Sequence, residues 1–216
     1  MPAEASAAAS QSEVAYQLLV EAIEAGHFTP GARMREAEVG ALLGLGRTPV
    51  RDALRKLEAE GMVEHRPRLG AVLRMLADTE VVELYEMRMV LERTAAELAA
   101  QRATALEVDE VADLNAEILA ARSDLSKAAR INVSFHRALF RAARNRFLLD
   151  AARGLNNALL LLGPSTFDSD TRIDVVHAEH ERIVDALKTR DGDEAGAAMS
   201  AHLETSLRHR LRALRG

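Results

Sequence analysis

Apolar side chains recur every three to four residues along most of this 216-residue chain, the spacing that lines one face of an α-helix. The pattern predicts a first helix from about Gln11 to Ala25, ended by Gly26 and by the Pro30–Gly31 pair. A short second helix is predicted over 36–43. The chain therefore opens with two helices separated by a turn.

A second turn, a third helix and two short strands come next. Gly44 and Gly46 predict the turn, and Thr48 as N-cap with Pro49 as the first helical residue predicts the start of the helix. Two candidate strands follow, Met62–His65 and Ala71–Met75. This order is the layout of a winged helix-turn-helix, in which the second helix of the motif enters the DNA major groove. The sequence therefore predicts a DNA-binding domain.

The rest of the chain keeps the helical period. Six helices are predicted, over about 79–102, 107–122, 124–143, 145–162, 170–189 and 191–214, with breaks at Gly163–Pro164 and Asp191–Gly192. We therefore expect a mostly α fold, with an N-terminal winged helix-turn-helix that carries a small β-wing and a C-terminal antiparallel all-α bundle of six or seven helices. The predicted boundaries are a disordered lead over 1–10, the DNA-binding domain over 11–76, a hinge over 77–79 and the helical domain over 80–216.

Composition narrows the class of protein further. The chain has no cysteine, which leaves neither a disulfide framework nor a thiolate metal site. Its longest apolar run, residues 158–163, is far shorter than the ~20 residues of a membrane span. The N-terminus lacks the basic start of a secretory signal. We expect a cytoplasmic protein without a membrane partner.

The net charge of −5 is unusual for a protein that binds DNA, but the charge is unevenly distributed. Residues 33–74 hold nine basic and six acidic side chains, a net of +3, so the remainder carries −8. Phosphate binding needs positive charge on the contacting face and not on the whole chain. The distribution therefore agrees with DNA binding by the first domain.

The candidate DNA-reading residues cluster around the predicted recognition helix. Arg47, Thr48 and Arg51 lie at its N-terminal end, the end that such a helix presents to base edges and phosphates. An Arg fork can bind guanine O6 and N7 in bidentate fashion. Arg35, at the start of the preceding helix, is placed for a second contact. The alternative, on the residues alone, is a solvated basic face without a nucleic-acid partner.

The helical region contains a possible metal site. Asn132 and His136 are four residues apart, so their side chains lie on one helical face. His180 and His202 stand on two further predicted helices, and three imidazoles from three helices can hold a divalent metal ion inside a bundle. The alternative is that each is a hydrogen-bonded core or surface histidine. Three other histidines are interpreted as surface polar residues: His27, His65 and His209.

The N-terminal sequence resembles the DNA-binding domain of GntR-family transcription regulators. The matching stretches are PGARMREAE, RTPVRDALRKLEAEGMVEHRP and the glycine of the wing. The resemblance implies DNA contacts at Arg35, Arg47, Thr48, Arg51 and Gly70. One departure is Gly46, where the family usually has Ser or Thr. The missing hydroxyl would cap the helix or touch a phosphate, so we expect weaker DNA affinity but no loss of binding.

Residues from about Asp78 onward are similar to the FCD ligand-sensing domain of the FadR-type GntR regulators. The matching stretches are YEMRMVLERTAAELAA, NVSFHRALFRAARN, EHERIVDALKTRDGDEA and the histidine at 202. The resemblance implies a divalent metal ion, with Zn expected and Ni or Mn as alternatives, held by Asn132, His136, His180 and His202. Many members have Asp where this chain has Asn132, and an amide oxygen binds a dication less strongly than a carboxylate does.

The resemblance also implies an effector site beside the metal. Three nitrogens and one oxygen leave positions open on a six-coordinate ion, and a small carboxylate can fill them. Arg88 matches an arginine common in the family and is the candidate to share the carboxylate's charge. The alternative for Arg88 is an ion pair with Glu92 at i+4. His177, near His180, is a second candidate, and a plain surface histidine is its alternative.

The sequence therefore predicts a ligand-responsive transcription regulator, a repressor, that acts as a homodimer on a pseudo-palindromic operator in double-stranded DNA. Organic acids and sugar acids are the expected effectors. The competing function is a metal-dependent hydrolase-like enzyme that uses the histidines to activate water, with Glu179 as the only obvious general base. A third interpretation makes the metal purely structural.

Overall fold

The structure is a computed structural model that describes residues 2–163 and 166–215, without the side chains of residues 2–10 and 215. Within these ranges it is mostly helical, with nine α-helices, one 3₁₀ turn and two strands, which confirms the predicted fold class. The elements are α1 (Pro2–Glu24), α2 (Glu36–Leu43), α3 (Arg47–Ala59), β1 (Val63–Arg66), β2 (Gly70–Leu73), α4 (Asp78–Arg102), α5 (Ala105–Ala120), α6 (Leu125–Ala142), α7 (Arg146–Leu159), the 3₁₀ turn (Leu160–Leu162), α8 (Asp170–Lys188) and α9 (Gly192–Arg215).

The chain forms two compact units. Unit 1 comprises residues 1–76 and 156–164, and unit 2 comprises residues 77–155 and 165–216. In unit 1, helices α1, α2 and α3 pack around a core that includes the fully buried side chains of Leu19, Val50 and Leu57. This is the three-helix core of a winged helix-turn-helix.

The wing of unit 1 is an antiparallel pair of strands. Val63 on β1 is paired with Leu73 on β2, and Arg66 is paired with Gly70 at the tip. Arg33 forms an isolated bridge to Val72, so the segment before α2 lies along the free edge of β2. The strands begin and end within two residues of the predicted ranges, because the alternation that predicts a strand does not fix its last hydrogen bond.

Three local predictions in unit 1 and at its end differ from the structure. Helix α3 begins at Arg47 with Gly46 as N-cap, so Thr48 is the second helical residue and not the cap. Helix α1 begins at Pro2, where a disordered lead over 1–10 is predicted, because this segment is rich in alanine, the strongest helix former. Two residues of the predicted hinge, Asp78 and Thr79, belong to the first turn of α4.

Unit 2 is built on a close approach of α4 and α9. An added Cβ at Gly196 on α9 would lie 2.5 Å from Oε1 of Glu97 on α4, so a larger residue there would displace the side chain of Glu97. Alanines continue the same surface, since Ala96 and Ala99 on α4 and Ala195 on α9 are all fully buried. Small side chains let the two backbones come together and bring the functional side chains of both helices into one core.

The remaining helices of unit 2 pack around this pair and follow the predicted ranges closely. Capping side chains next to each helix start explain why the predicted and observed ranges agree. Thr104 accepts the N–H of Glu107 at 3.3 Å and starts α5, and Asp124 and Ser169 cap α6 and α8 in the same way. Gly163 closes the 3₁₀ turn with a φ of 75°, while Pro164 of the predicted break lies outside the described residues. No described helix is both long and apolar enough to span a bilayer.

Candidate functional site

The turn between α2 and α3 sets how the recognition helix is presented. Gly44 ends α2 in the left-handed conformation, with φ 67° and ψ 30°, which glycine adopts without strain. At Gly40, one turn earlier, an added Cβ would lie 2.8 Å from the carbonyl oxygen of Leu45. Gly40 is therefore required for the tight turn. The sequence predicted the turn from Gly44 and Gly46 and gave no reason for glycine at position 40.

The predicted DNA-reading residues share one exposed region of unit 1. Arg47, Thr48 and Arg51 are exposed on the first two turns of α3. Arg35 is the exposed N-cap residue of α2. Gly70 begins β2 with a φ of 79°, a value that favours glycine. The N-terminal end of α3 is open to solvent, as contact with base edges requires.

Two glutamates that were not predicted as functional residues form ion pairs with these arginines. Glu36 accepts two hydrogen bonds from Arg51, at 2.7 Å from Nε and 2.8 Å from Nη2. Arg51 lowers the pKa of Glu36 through this hydrogen-bonded pair. Glu38 lies 2.6 Å from Nη1 of Arg35. Arg35 and Arg51 are thus partly neutralised within unit 1, by the first and third residues of α2.

The wing adds basic side chains to the same unit. Arg66 and Arg68 are exposed at its tip, and Arg68 adopts a left-handed φ of 67°. Leu69 beside them is 45% exposed. Glu64 lies 2.6 Å from Nη2 of Arg66, which repeats the pairing of an exposed arginine with a neighbouring glutamate.

The three predicted histidine ligands come together in unit 2. One ring nitrogen from each of His136, His180 and His202 lies within 4.8 Å of the other two. The rings come from α6, α8 and α9, and all three are buried. Nε2 of His180 lies 3.4 Å from Nε2 of His202. We call this group the histidine centre; its size and donor set suit a divalent ion held by neutral imidazoles.

Carboxylates lie close to the Nδ1 atoms of two of the three imidazole rings. Oε2 of Glu179 lies 2.8 Å from Nδ1 of His202, and Oε2 of Glu92 lies 2.5 Å from Nδ1 of His136. A carboxylate on one ring nitrogen fixes the tautomer and turns the other nitrogen toward a metal ion. Because Glu179 is occupied in this way, it is not placed as a free general base.

Burial favours the neutral form of His180 and His202. It lowers the pKa of His202 to about 4, against the opposing effect of Glu179, and together with the neighbouring imidazoles it holds the pKa of His180 well below its ordinary value. Burial alone would raise the pKa of Glu92, yet Arg88 and His136 hold it below its usual range. Neutral imidazoles facing one another are the protonation state that metal binding needs.

The fourth predicted ligand, Asn132, lies one turn before His136 on α6. Its Oδ1 is buried and makes no hydrogen bond within the described part of the chain. A buried carbonyl oxygen without a partner is costly, and a metal ion would remove that cost. The structure brings Asn132 to the same helix face as His136, while its role as a ligand stays a prediction.

The two predicted effector residues have different surroundings. Arg88 is 6% exposed, and its Nε lies 2.7 Å from Oε1 of Glu92, so the ion pair considered from the i+4 spacing is present. His177 lies 3.2 Å, through Nδ1, from the backbone oxygen of Asn115. It is absent from the histidine centre among the described residues.

Two further buried arginines lie on α8 and α9. Arg172 is 5% exposed and donates to Oγ of Ser206 at 3.4 Å. Arg210 is 8% exposed and interacts with the hydroxyl of Tyr85, which also interacts with Arg88. Neither arginine was predicted from the sequence, because no local pattern distinguishes a buried arginine from a surface one.

Two family profiles match this chain in succession. The profile described as "Bacterial regulatory proteins, gntR family" matches residues 11–73, and the profile described as "FCD domain" matches residues 83–205. The first match covers the helix-turn-helix and wing, and the second covers the histidine centre.

Full-length relatives agree with these matches. The chain is 35% identical to the "Probable D-xylose utilization operon transcriptional repressor" of Paenarthrobacter nicotinovorans, over 88% of this chain and 84% of that protein. It is 30% identical to the "Nta operon transcriptional regulator" of Aminobacter aminovorans, over 88% and 90% of the two chains. Among solved structures, a putative GntR transcriptional regulator from Rhodococcus sp. RHA1 has a TM-score of 0.79 at 26% identity, covering 94% of this chain and 99% of that one. E. coli McbR/YncC shares the fold, with a TM-score of 0.84 at 18% identity over 94% and 98%.

Proposed function

Because this chain belongs to the GntR family of bacterial regulatory proteins and carries an FCD domain, we propose that it is a repressor whose operator affinity changes when a small carboxylate binds at a metal ion in the histidine centre. That the protein is a transcription regulator, and not an enzyme, follows from the family itself. The repressor role, the metal, the effector and the homodimer are the proposal.

The DNA-binding part of the proposal is supported by the exposed face of α3. Arg47 and Arg51 present guanidinium groups that can read guanine in the major groove, and Arg35, Thr48 and the wing at Gly70 supply the contacts that hold the helix in place. Two copies of unit 1 in a homodimer would read two half-sites, so we expect a pseudo-palindromic operator. The relative from P. nicotinovorans, named as a probable repressor, supports the direction of regulation.

The histidine centre carries the metal part of the proposal. Three buried imidazoles face one another within 4.8 Å, although burying polar nitrogens together without a partner is costly. Glu179 is hydrogen-bonded to His202, the arrangement that orients metal-bound histidines, and Glu92 lies close to His136. We expect Zn, with Ni or Mn as alternatives, and we expect Asn132 to supply an oxygen ligand.

The effector part rests on the positions that these ligands leave open. A six-coordinate ion with three nitrogens and one oxygen has room for a bidentate carboxylate, and the nearby Arg88 can share the carboxylate's charge. Arg88 reaches His136 through Glu92, which contacts both. A coupling of ~1–3 kcal/mol between effector and operator binding is enough for regulation.

Elemental analysis and DNA binding test the proposal together. Purified full-length protein should hold one divalent ion per chain, and His136→Ala/His180→Ala should hold none. Operator duplexes selected from a random library should then bind the metal-loaded protein with an affinity that citrate, acetate or a sugar acid changes, and only while the metal is present. If metal binds but no carboxylate has a metal-dependent effect on DNA affinity or melting temperature, the metal is structural and the effector site is refuted.

A further inference from the structure

Unit 2 buries more positive than negative side-chain charge. Its buried charged side chains, among the described residues, are three arginines and one glutamate: Arg88, Arg172, Arg210 and Glu92. Glu92 is already paired with Arg88 at 2.7 Å. Taking a cation out of water is costly unless charged or polar groups replace the water. A buried surplus of arginines is therefore the arrangement that a protein needs to hold an anion supplied from outside the chain.

Arg172 on α8 has an incomplete set of partners. Its Nη2 donates to Oγ of Ser206 at a long 3.4 Å, and its Nη1 is 4.0 Å from Oε2 of Glu179, beyond hydrogen-bond distance. Its Nε is buried and has no hydrogen-bond partner within the described part of the chain. Burial lowers the pKa of Arg172, in keeping with a guanidinium whose charge is poorly compensated. The planar fork retains a free donor for a carboxylate.

Arg172 lies close to the histidine centre. Glu179 joins the two, because its Oε2 is 2.8 Å from Nδ1 of His202 and 4.0 Å from Nη1 of Arg172. On α4, the hydroxyl of Tyr85 forms hydrogen bonds with Arg88 and Arg210. The histidine centre and the arginines of three helices thus form one continuous polar region in the core of unit 2.

We propose that the effector carries two anionic groups, one bound at the histidine centre and the other bound by Arg172. The inference rests on the proposed function, since it requires an effector at the histidine centre. A small dicarboxylate is the simplest molecule of this class. Arg172 is then the specificity-determining residue, because a ligand with a single carboxylate leaves the buried guanidinium without its anion.

Matched ligand pairs test the inference on the full-length, zinc-loaded protein. The probes are linear dicarboxylates from malonate to adipate, each compared by calorimetry with its monoamide, which has the same length and one charge fewer. We expect at least one dicarboxylate to bind tenfold or more tightly than its monoamide. In Arg172→Gln this advantage should fall below threefold, with the monoamide affinity unchanged. Arg182→Gln, on the same helix but with a side chain 61% exposed, should keep the advantage.

The possible failures are distinguishable. If monoamides bind the zinc-loaded protein as tightly as the dicarboxylates, or if Arg172→Gln retains the preference, the inference is wrong while the proposed function stands. If no carboxylate binds the zinc-loaded wild type, the proposed effector site fails and the inference fails with it. Ligand-free Arg172→Met should melt at the same or a higher temperature than wild type, because a poorly compensated buried cation has been replaced by an apolar side chain. A melting temperature lower by more than a few degrees would assign Arg172 to the stability of the bundle and contradict the inference.

Discussion

Glu179 forms a hydrogen bond with His202: Oε2 of Glu179 lies 2.8 Å from Nδ1 of the His202 ring. On the other side of the ring, Nε2 of His202 lies 3.4 Å from Nε2 of His180. The carboxylate therefore keeps the proton on Nδ1 and leaves the lone pair of Nε2 pointing into the histidine centre. Glu179 thus orients the ring nitrogen of His202 that a metal ion would use.

Replacing Glu179 should weaken metal binding without removing a ligand. In Glu179→Gln the amide no longer favours the correct tautomer through its charge, and we expect zinc affinity to fall ~10–100-fold. Competition with a fluorescent chelator measures the change. Glu204→Gln on α9, with a side chain 59% exposed, serves as the control and should bind zinc like the wild type. Equal affinities for all three proteins would show that the pair is irrelevant to the metal.

Asn132→Asp should raise metal affinity. The substitution places a negative charge where Asn132 now has a buried carbonyl oxygen without a hydrogen bond, and a carboxylate attracts a dication more strongly than an amide does. We expect zinc to bind at least tenfold more tightly, equivalent to about 1.4 kcal/mol, whereas Asn132→Leu should bind it more weakly. The same chelator competition applies. If neither variant differs from wild type, Asn132 is not a ligand.

The metal-free protein should lose stability as the pH falls below about 6.5. Burial lowers the pKa of His202 to about 4 in the folded state, so between these values the unfolded chain binds a proton that the folded chain does not. Stability therefore rises with pH in this window and falls with acidification, by about 2 kcal/mol at pH 5 for His202 alone. His180, whose pKa is also lowered, adds to the loss. Urea unfolding between pH 5 and pH 7.5 measures it, and His202→Gln should show a shallower dependence. A flat wild-type profile would contradict the burial argument.

Arg51 and Glu36 should have opposite effects on DNA binding. Arg51→Ala removes a guanidinium from the exposed start of α3, and we expect the affinity for a selected operator to fall by ~1–3 kcal/mol. Glu36→Gln releases the two-point ion pair, so binding to random-sequence duplex should tighten and its salt dependence should steepen. Fluorescence anisotropy at several salt concentrations measures both. Arg153→Ala, with a side chain 74% exposed in unit 2, is the control. Wild-type operator affinity in Arg51→Ala would show that the reading face is wrongly placed.

Two glycine substitutions should change stability in opposite directions. Gly40→Ala would place a methyl group 2.8 Å from the carbonyl oxygen of Leu45, and we expect a loss of ~1–3 kcal/mol as the turn between α2 and α3 adjusts. Gly154→Ala, in helix α7, meets no atom within 4 Å and should gain about 0.5–1 kcal/mol. Thermal and urea unfolding of both variants test the pair. A neutral Gly40→Ala would mean that the turn is less tightly packed than the structure indicates.

The elements of the fold were predictable because their signals are local. Caps such as Thr104 with Glu107 lie within one helical turn, and the i+4 spacing of Arg88 and Glu92 contains their ion pair. The start of α3 was misplaced because Thr48 and Pro49 resemble a cap and a first helical residue, whereas the structure uses Gly46, which carries no capping side chain.

The candidate site was predictable only in part. Convergence of His136, His180 and His202 depends on how three helices pack, so the residues alone left a core or surface role open for each, and the resemblance to a family favoured the metal site. Glu179 was noticed as a neighbour of His180 in sequence, but its contact is with His202 on another helix. Arg172 shares no spacing with the histidines. Its importance arises from burial, which a sequence without a fold does not reveal.

Three exposed arginines of unit 1 each lie close to a glutamate: Arg51 to Glu36, Arg35 to Glu38 and Arg66 to Glu64. In a cell an operator competes with roughly 10⁶ or more other positions on the chromosome. Non-specific DNA attracts these arginines mainly through its phosphates, and breaking the internal pairs offsets part of that attraction, whereas an operator also offers base contacts. The internal pairs therefore favour specific sites over non-specific ones, and fewer molecules are held at irrelevant positions.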